Sequence, residues 1–306
     1  MSEKSILDLD NIKISLHTDA DGIYSGVLLS TVIRVREVVF PDIFGEYSDE
    51  DLILDQVPVD PLYDKLVIDH HPQHPENRRY RLIYDTVPTT LIVYNILKDH
   101  IPRDRSWLVV GGLVGDGQPE LIPSNIWREH PCLLDEIGYM SDYRGDLHFY
   151  RTPLWNLLSS PVNALCRCNQ PDTAFNIVKN ARDPYDIIND PTCRVAKRRV
   201  DEEIKKILKD QQPVDLGYVI YWEIDTDLKL CGLLASRSEA MYKKTTIVVN
   251  RKNGHISVRG VLSDLIREEL SKKNYNIGGH LGYMGGILSS DQDTRKLLED
   301  LRKIRL

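Results

Sequence analysis

The sequence predicts an α/β protein with an N-terminal, mainly parallel sheet flanked by helices and a smaller α/β domain at its C-terminal end. Short apolar runs alternate with helical periodicity in the first half of the chain, which is typical of parallel strands joined by helices. A charged amphipathic segment, followed by a polar stretch that contains proline, separates this half from the rest. With 306 residues, the chain is long enough to form two hydrophobic cores.

Strands and helices in the first half are predicted from apolar spacing. Apolar residues that recur about every 3.6 positions indicate helices, and short apolar runs bounded by polar residues indicate strands. Pro88 and Thr89 form a typical helix start. The predicted elements are a strand at residues 11–16, a helix at 22–36, strands at 52–54 and 66–68, a helix at 89–97, and a buried apolar segment at 107–114 that we interpret as a fourth strand.

The second half is organised around one long amphipathic helix. Residues 118–190 show helical patches broken by prolines, and residues 193–209 carry their apolar side chains on one helix face. We therefore predict a first domain over residues 1–192, a linker helix over 193–212 and a second domain over 213–306. In the second domain we expect strands at 218–224, 245–250 and 255–259, the last two joined by an Asn253-Gly254 turn, helices at 233–242 and 262–272, then a glycine-rich loop and a terminal helix.

Composition excludes several classes of function. The net charge of −7 disfavours a broad surface for duplex nucleic acid, although a local phosphate site neutralised by metal is compatible with it. No apolar run has the ~18–20 residues of a membrane-spanning helix, and the polar start MSEKSILDLDN does not resemble a signal peptide. We therefore expect a cytoplasmic protein with no membrane partner. The five cysteines fit reduced thiols, with a metal or redox role for Cys166, Cys168 and Cys193 as the alternative.

The densest group of candidate functional side chains is HTDADG, at residues 17–22, where the first strand leads into the first helix. Ligand sites in open α/β sheets form at the carboxyl ends of strands. The carboxylates of Asp19 and Asp21 are the oxygen ligands that hard divalent metals need, and the imidazole of His17 suits a borderline metal such as Mn²⁺. The segment therefore predicts a metal site.

Further acidic residues follow the other predicted strands. Asp55, Asp69 and Asp116 each follow an apolar run, and Asp69 is followed directly by His70 and His71. Parallel strands would bring these side chains to one edge of the sheet. Each aspartate alone also fits a helix cap or a turn, and the two histidines fit a surface turn, so the joint occurrence favours a metal site. We interpret the histidines without such a context as surface or internally paired residues: His74, His100, His130, His148 and His255.

In this order, HTDADG, VIDHH and the Gly115-Asp116-Gly117 turn resemble the motifs of the DHH phosphoesterase superfamily. Near the C-terminal end, ISVRG and GGHLGYMGG resemble the DHH-associated domain, with its S-x-R strand and Gly-Gly-His loop. The resemblance covers about residues 12 to 290. The spacing of the first motif is more similar to RecJ-like nucleases than to nanoRNases.

The resemblance implies an active site in the cleft between two domains, where two Mn²⁺ ions, or Mg²⁺ or Co²⁺ in their place, hold a phosphate. It implies that Asp69 orients a neighbouring histidine, and that His71 contacts the scissile phosphate or the leaving oxygen. The resemblance assigns His17 and Asp19 to one metal, Asp21, His70 and Asp116 to the other, and Asp55 to both.

The resemblance also implies how substrate is held. Arg259 is expected to grip a phosphate with its planar fork, Gly278 and Gly279 to offer backbone amides, and His280 to add a polar contact. Tyr283 departs from the family's glycine- and alanine-rich loop, and it either stacks on a base or packs in the core.

Several functions remain open. The leading prediction is a RecJ-like exonuclease that acts on single-stranded or short DNA or RNA oligonucleotides. The alternative is a small-nucleotide enzyme that acts on a cyclic dinucleotide or a nucleotide 3′-phosphate. A non-catalytic replication scaffold is a third hypothesis, which the complete set of ligand residues disfavours. A homodimer, or association with replication or repair proteins, is the expected assembly.

Overall fold

The structure of the protein is a computed structural model, which describes residues 4–41, 49–58, 65–72, 74, 76, 78–143, 146–280, 282–288 and 294–304. The chain forms two compact units, one of Met1–Cys166 and Gln170–Lys197, the other of Arg167–Asn169 and Arg198–Leu306. The first unit contains a parallel sheet flanked by helices, and the second contains a separate mixed sheet. The predicted α/β fold class is therefore confirmed. The division into a catalytic domain, a linker and a substrate-binding domain stays a prediction.

The centre of the first unit is a parallel sheet. Its strands are β1 (Ile12–Leu16), β2 (Val35–Val39), β3 (Leu52–Leu54), β4 (Leu66–Asp69) and β5 (Arg81–Tyr84). They lie in the order β2-β1-β3-β4-β5, and each neighbouring pair is parallel. The central strands β1, β3 and β4 are buried along their whole length, as expected for a sheet covered on both faces. Because all five run the same way, their carboxyl ends meet at one edge, here called the carboxyl edge.

Helices surround this sheet. They are α1 (Lys4–Leu7), α2 (Ala20–Ser30), α3 (Thr89–Leu97), α4 (Leu108–Gly115), α5 (Ser124–Glu129), α6 (Ser159–Arg167), α7 (Pro171–Asn180) and α8 (Pro184–Asn189), followed by the long α9 (Pro191–Asp210). Helix α2 is buried from Ala20 to Leu29, and it packs against α3, α4 and α7. The start of α2 and the end of α4 both lie near the carboxyl edge.

The predicted strand at residues 107–114 is wrong, because these residues form helix α4. The helix is apolar on every side and is buried from Leu108 to Leu113, so its sequence shows no helical alternation of polar and apolar residues. A short, fully apolar run of this kind cannot be told from a buried strand by periodicity. Asp116 consequently follows a helix rather than a strand.

Two other predictions for this unit need correction. The helix predicted at 22–36 ends at Ser30, and the β-branched stretch Val35–Val39 forms the edge strand β2 instead. Residues 118–190 are not only helical, since Glu136–Tyr143 (β6) and Asp146–Pro153 (β7) form a two-stranded antiparallel hairpin. Pro131 precedes this hairpin and Pro153 ends β7, whereas the sequence pattern indicates helix breaks at both prolines.

The second unit is built on a mixed six-stranded sheet. Its strands are β8 (Val214–Asp215), β9 (Val219–Ile224), β10 (Thr245–Asn250), β11 (His255–Arg259), β12 (Asn276–His280) and β13 (Tyr283–Ile287), in the order β12-β13-β11-β10-β9-β8. Only β9 and β10 are parallel neighbours among these pairs. Three helices accompany the sheet: α10 (Cys231–Tyr242), α11 (Ser263–Ser271) and α12 (Thr294–Lys303).

The helices of the second unit cover its sheet unequally. Helices α11 and α12 contribute Ile266 and Leu297 to a core that includes Ile247 and Val249 of β10. Helix α10 packs against β9, β10 and β11, and its Ser238 accepts a hydrogen bond from the indole of Trp222 at 2.9 Å. Residues alternate along β9 and β10, so α10 lies on the face opposite to α11 and α12.

The sequence predicts a loop for the glycine-rich segment near the C-terminal end, but this segment forms the antiparallel hairpin β12–β13. Gly279 has φ +129, and a Cβ atom at this position would lie 2.3 Å from the carbonyl oxygen of Tyr283. Glycine is therefore required for the close approach of the two strands. The glycines, which in the sequence indicate a loop, allow these two strands to approach closely.

Two compositional expectations can be set beside the structure. Among the described residues, no helix is both long enough and apolar enough to cross a membrane. The five cysteines, which all lie within the described ranges, form no disulfide with one another, and four of them are buried.

Candidate functional site

Six side chains from separate parts of the first unit meet at the carboxyl edge of its sheet. His17 follows β1, Asp55 follows β3, and His70 follows β4. Asp19 and Asp21 belong to the start of α2, and Asp116 ends α4. The structure thus brings together all six predicted ligands: His17, Asp19, Asp21, Asp55, His70 and Asp116. Their role as metal ligands stays a prediction.

The first group of possible ligands consists of His17, Asp19 and Asp55. Nδ1 of His17 lies 2.8 Å from Oδ2 of Asp19 and 3.5 Å from Oδ2 of Asp55. The other oxygen of Asp19 accepts a hydrogen bond from the amide of Gly22, so Asp19 also caps helix α2. Gly22 is needed here, because a Cβ atom would lie 2.4 Å from the carbonyl oxygen of His17. Helix capping and membership of the site are therefore compatible for Asp19.

The second group consists of Asp21, His70 and Asp116. Nε2 of His70 lies 3.3 Å from Oδ2 of Asp116 and 4.0 Å from Oδ2 of Asp21. The same nitrogen lies 3.2 Å from Oδ1 of Asp55, which belongs to the first group. His70 and Asp55 also form a third group with Asp69 and His71, so the three groups make one continuous cluster.

Helix α3 positions two of these carboxylates through residues that we did not single out. Asp21 accepts hydrogen bonds from the amides of Thr89 at 2.7 Å and Thr90 at 3.0 Å. The hydroxyl of Thr90 donates to Asp21 at 2.5 Å, and that of Thr89 donates to Asp55 at 3.1 Å. Pro88, at the N-cap position of α3, supplies no side-chain cap within the described structure, so Asp21 satisfies this helix end. One sequence feature could have revealed this role. Helix α3 starts with two threonines after Pro88 and has no capping side chain of its own.

Asp69 contacts the histidines that follow it. It is fully buried, its Oδ1 lies 2.7 Å from Nδ1 of His71, and its Oδ2 lies 3.0 Å from Nε2 of His74. Nδ1 of His74 in turn lies 2.7 Å from the hydroxyl of Tyr80. The sequence predicts His74 to be a surface or internally paired residue, and it is internally paired; it also packs beside the candidate site, three residues beyond His71.

Burial and mutual repulsion shift the pKa values of the acidic residues in the cluster. Burial, followed by the charges of Asp55 and Asp19, raises the pKa of Asp116 to about 7. Burial and the charges of Asp55 and Asp116 raise the pKa of Asp21 well above its usual value. Burial alone would lower the pKa of His70, but the hydrogen bond to Asp55 and the charges of Asp55, Asp21 and Asp116 together outweigh it and raise this pKa to about 10. Buried carboxylates that repel one another in this way need a cation.

The residues present fit a divalent metal. Nδ1 of His17 and Oδ2 of Asp55 are buried, and neither makes a hydrogen bond of acceptable geometry with a described residue, although the two atoms lie 3.5 Å apart. Such orphaned atoms are costly unless another partner satisfies them. A set of carboxylate oxygens and imidazole nitrogens is the donor chemistry that Mn²⁺ accepts.

The predicted substrate-binding residues lie in the second unit. Arg259 ends β11, and its Nη1 donates to the carbonyl oxygens of Val258 and Met284, both at 2.9 Å. Its guanidinium carbon lies 5.0 Å from the ring centre of Tyr283, and burial lowers its pKa to about 10. The fork predicted to hold phosphate is thus partly committed to main-chain carbonyls.

The other predicted substrate contacts belong to the β12–β13 hairpin. Gly278 and Gly279 lie in β12 opposite Gly285 and Met284. His280 pairs with Tyr283 in the backbone register, and its side chain lies outside the described residues. Tyr283 is 61% exposed, so the alternative that it packs in the core is wrong.

No protein-family model matches the chain, and no curated protein matches it by sequence. Several solved structures match its fold. RecJ from Thermus thermophilus in complex with Mn²⁺ matches with a TM-score of 0.65 at 13% identity, over 97% of this chain and 53% of that one. An exonuclease RecJ bound to manganese matches with a TM-score of 0.60 at 14% identity, over 94% and 89% of the two chains. PggH, a pGpG-specific phosphodiesterase from Vibrio cholerae, matches with a TM-score of 0.51 at 14% identity, over 95% and 97%.

These likenesses show that the chain has the fold of the DHH phosphoesterases, as its motifs predicted. RecJ and PggH are particular proteins whose fold it shares. The chain spans about half the length of the Thermus RecJ chain.

Proposed function

We propose that this chain is a metal-dependent phosphodiester hydrolase, and that it acts as a RecJ-like exonuclease on single-stranded or short oligonucleotides. The observation that carries the proposal is the cluster at the carboxyl edge, where two groups of possible metal ligands are joined by the 3.2 Å contact between His70 and Asp55. The fold of the DHH phosphoesterases supports the same proposal.

The proposed metal ligands divide as the two groups do. His17 and Asp19 would hold one ion, Asp21, His70 and Asp116 would hold the other, and Asp55 would serve both. When bound, such ions supply positive charge that stabilises a phosphate in the transition state, and they activate water as the nucleophile. We propose Mn²⁺ as the ion, with Mg²⁺ or Co²⁺ as substitutes, because the donors combine imidazole with carboxylate.

The remaining residues of the site would orient these ligands and the substrate. Thr89 and Thr90 fix the carboxylate of Asp21 through the hydrogen bonds at the start of α3. Asp69 holds Nδ1 of His71, which leaves Nε2 as the atom with which His71 would contact a phosphate or leaving oxygen. In the second unit, Arg259, the amides of Gly278 and Gly279, and His280 would hold other parts of the substrate.

A specific observation supports the second candidate, a small-nucleotide phosphodiesterase. PggH matches this chain over nearly the whole length of both proteins, whereas the first RecJ is about twice as long. The spacing of HTDADG and the higher TM-scores of the RecJ structures favour the exonuclease. A scaffold without catalysis is disfavoured, because all six proposed ligands are present and lie together.

The experiment that separates these functions compares substrates at one metal concentration. The protein with Mn²⁺ is incubated with end-labelled short DNA, short RNA, a closed single-stranded circle, a blunt duplex, a cyclic dinucleotide and a nucleotide 3′-phosphate. We expect cleavage of the linear strands and little cleavage of the circle or the duplex. The matched control is Asp55→Asn, prepared in the same way, which separates the activity of this protein from that of a contaminating nuclease.

Each outcome has a defined meaning. Rapid cleavage of the circle contradicts an exonuclease, and activity confined to dinucleotides or a nucleotide 3′-phosphate selects the second candidate. No cleavage of any substrate with Mn²⁺, Mg²⁺ or Co²⁺, in a protein that binds metal, contradicts the hydrolase itself.

A further inference from the structure

Tyr84 is an exposed aromatic residue at the rim of the candidate site. It is the last residue of β5, so it stands at the carboxyl edge of the sheet, and it pairs in the backbone register with Asp69 of β4. Its residue surface is 45% exposed. The exposed ring offers an aromatic face beside the site, and aromatic faces contribute a large contact area where they meet a ligand.

A short series of contacts connects Tyr84 to the centre of the site. Its ring lies 6.2 Å from that of His74, at an angle of 84°. His74 lies 3.0 Å from Asp69, and Asp69 lies 2.7 Å from His71. Nδ1 of His74 also lies 2.7 Å from the hydroxyl of Tyr80. Tyr84 therefore packs beside a histidine that is itself hydrogen-bonded to Tyr80 and lies next to Asp69.

The chain that follows Tyr84 borders the same site. Residues 85–88 connect Tyr84 to Thr89, whose amide and hydroxyl donate to Asp21 and Asp55. One end of this connection thus contacts the proposed metal ligands, and the other end carries the exposed ring. A substrate with its phosphate at the cluster would pass close to this connection.

Packing alone does not account for Tyr84. Tyr80 already covers His74, with ring centres 5.8 Å apart, and Tyr80 is only 5% exposed. We propose that Tyr84 stacks on a nucleobase of the substrate and so makes this protein selective for phosphodiesters that carry bases. The inference rests on the proposed hydrolase function and adds a binding residue to it. Stacking on an aromatic side chain tolerates any base, because every base offers a π-face.

The test compares two short single-stranded DNA substrates. One has ordinary nucleotides, and the other lacks the bases of the three terminal nucleotides at each end. We expect Tyr84→Ala to raise KM for the ordinary strand about tenfold, since stacking on a base commonly contributes this much, and to leave kcat nearly unchanged. The abasic strand should show no such difference. Tyr84→Phe and Tyr84→Trp should retain the wild-type KM, because both keep an aromatic face.

Tyr242→Ala is the matched control, because this tyrosine is 39% exposed and belongs to the second unit. Wild-type protein that cleaves neither strand contradicts the proposed function. If the wild type cleaves the ordinary strand and Tyr84→Ala has an unchanged KM, the stacking role is wrong. An equal loss on both strands assigns Tyr84 to support of His74, and it also overturns the proposal.

Discussion

Nε2 of His70 lies 3.2 Å from Oδ1 of Asp55. This contact joins a histidine that follows β4 to an aspartate that follows β3, and each of the two residues belongs to more than one group of possible ligands. Asp55 adopts φ +62, a left-handed conformation that few residues other than glycine, asparagine and aspartate adopt readily. The backbone thus adopts a left-handed conformation at the residue of the first group that contacts His70.

Asp55→Ala should abolish most of the activity. The variant loses the carboxylate that we propose as a ligand of both ions, so we expect kcat to fall by about three orders of magnitude, or ~4 kcal/mol of transition-state stabilisation. The measurement is kcat on a short single strand with saturating Mn²⁺. Asp99→Ala is the control, because Asp99 is exposed at the end of α3. A variant at Asp55 that retains more than a tenth of the wild-type kcat would contradict a shared ligand.

Divalent metal should stabilise the folded protein, whatever its substrate. The buried carboxylates Asp21, Asp55 and Asp116 repel one another, and a bound cation removes this cost. At a metal concentration 100 times its Kd, stabilisation is about 2.7 kcal/mol, which raises Tm by roughly 5–10 °C. Thermal unfolding with Mn²⁺ and with chelator checks this expectation. A double variant, His17→Ala with His70→Ala, should lose most of the increase, and an equal increase in both proteins would place the metal elsewhere.

Gly112→Ala should disturb the site from outside the ligand set. A Cβ atom on Gly112 would lie 2.1 Å from the hydroxyl oxygen of Thr90 and 2.8 Å from Oδ1 of Asp21. The overpacking should lower the free energy of unfolding by about 1–3 kcal/mol, although alanine favours the helix by up to ~1 kcal/mol. Urea denaturation measures the loss, and Gly285→Ala is the control, because its Cβ atom would meet only the carbonyl oxygen of Ile256, at 3.5 Å. Equal stability of the two variants would mean that α4 and α3 have room to separate.

Arg259→Ala should weaken substrate binding and leave the metal content unchanged. Arg259 belongs to the second unit, whereas all the proposed ligands belong to the first. Arg259→Lys should restore binding only in part, because an ammonium group cannot form two parallel hydrogen bonds with a phosphate. The measurements are KM for a short single strand and bound metal per protein, with circular dichroism as the check on folding. Arg259 also donates to Val258 and Met284, so a variant that unfolds would show that its role is structural.

Much of the site could be predicted because many of its candidate ligands lie in short segments of the sequence. HTDADG and DHH place a histidine or an aspartate directly after a strand, and parallel strands bring such residues to one edge. Thr89 and Thr90 could not be found in this way. Their contribution comes from backbone amides at the start of α3, and which carboxylate those amides meet depends on how α3 packs beside α2.

The errors in the fold have a common physical cause. The sequence of helix α4 predicts a strand, because the helix is buried on all sides and so lacks the polar face by which a helix is recognised. The β12–β13 hairpin was taken for a loop because its glycines usually mark turns, whereas here Gly279 admits the neighbouring strand. In both segments tertiary packing, rather than local preference, decides the structure.

The hydrogen bonds from the start of α3 to Asp21 determine when the site can form during biosynthesis. The first group of ligands is complete in the growing chain once Asp55 has been added, but Asp116 follows 61 residues later. At about 5–20 residues per second, this interval lasts roughly 3–12 s. During that time, until Thr89 and Thr90 are made, the carboxylate of Asp21 has none of its native hydrogen-bond donors from α3. A nascent chain therefore cannot assemble the second group during translation until α3 and α4 have both left the ribosome.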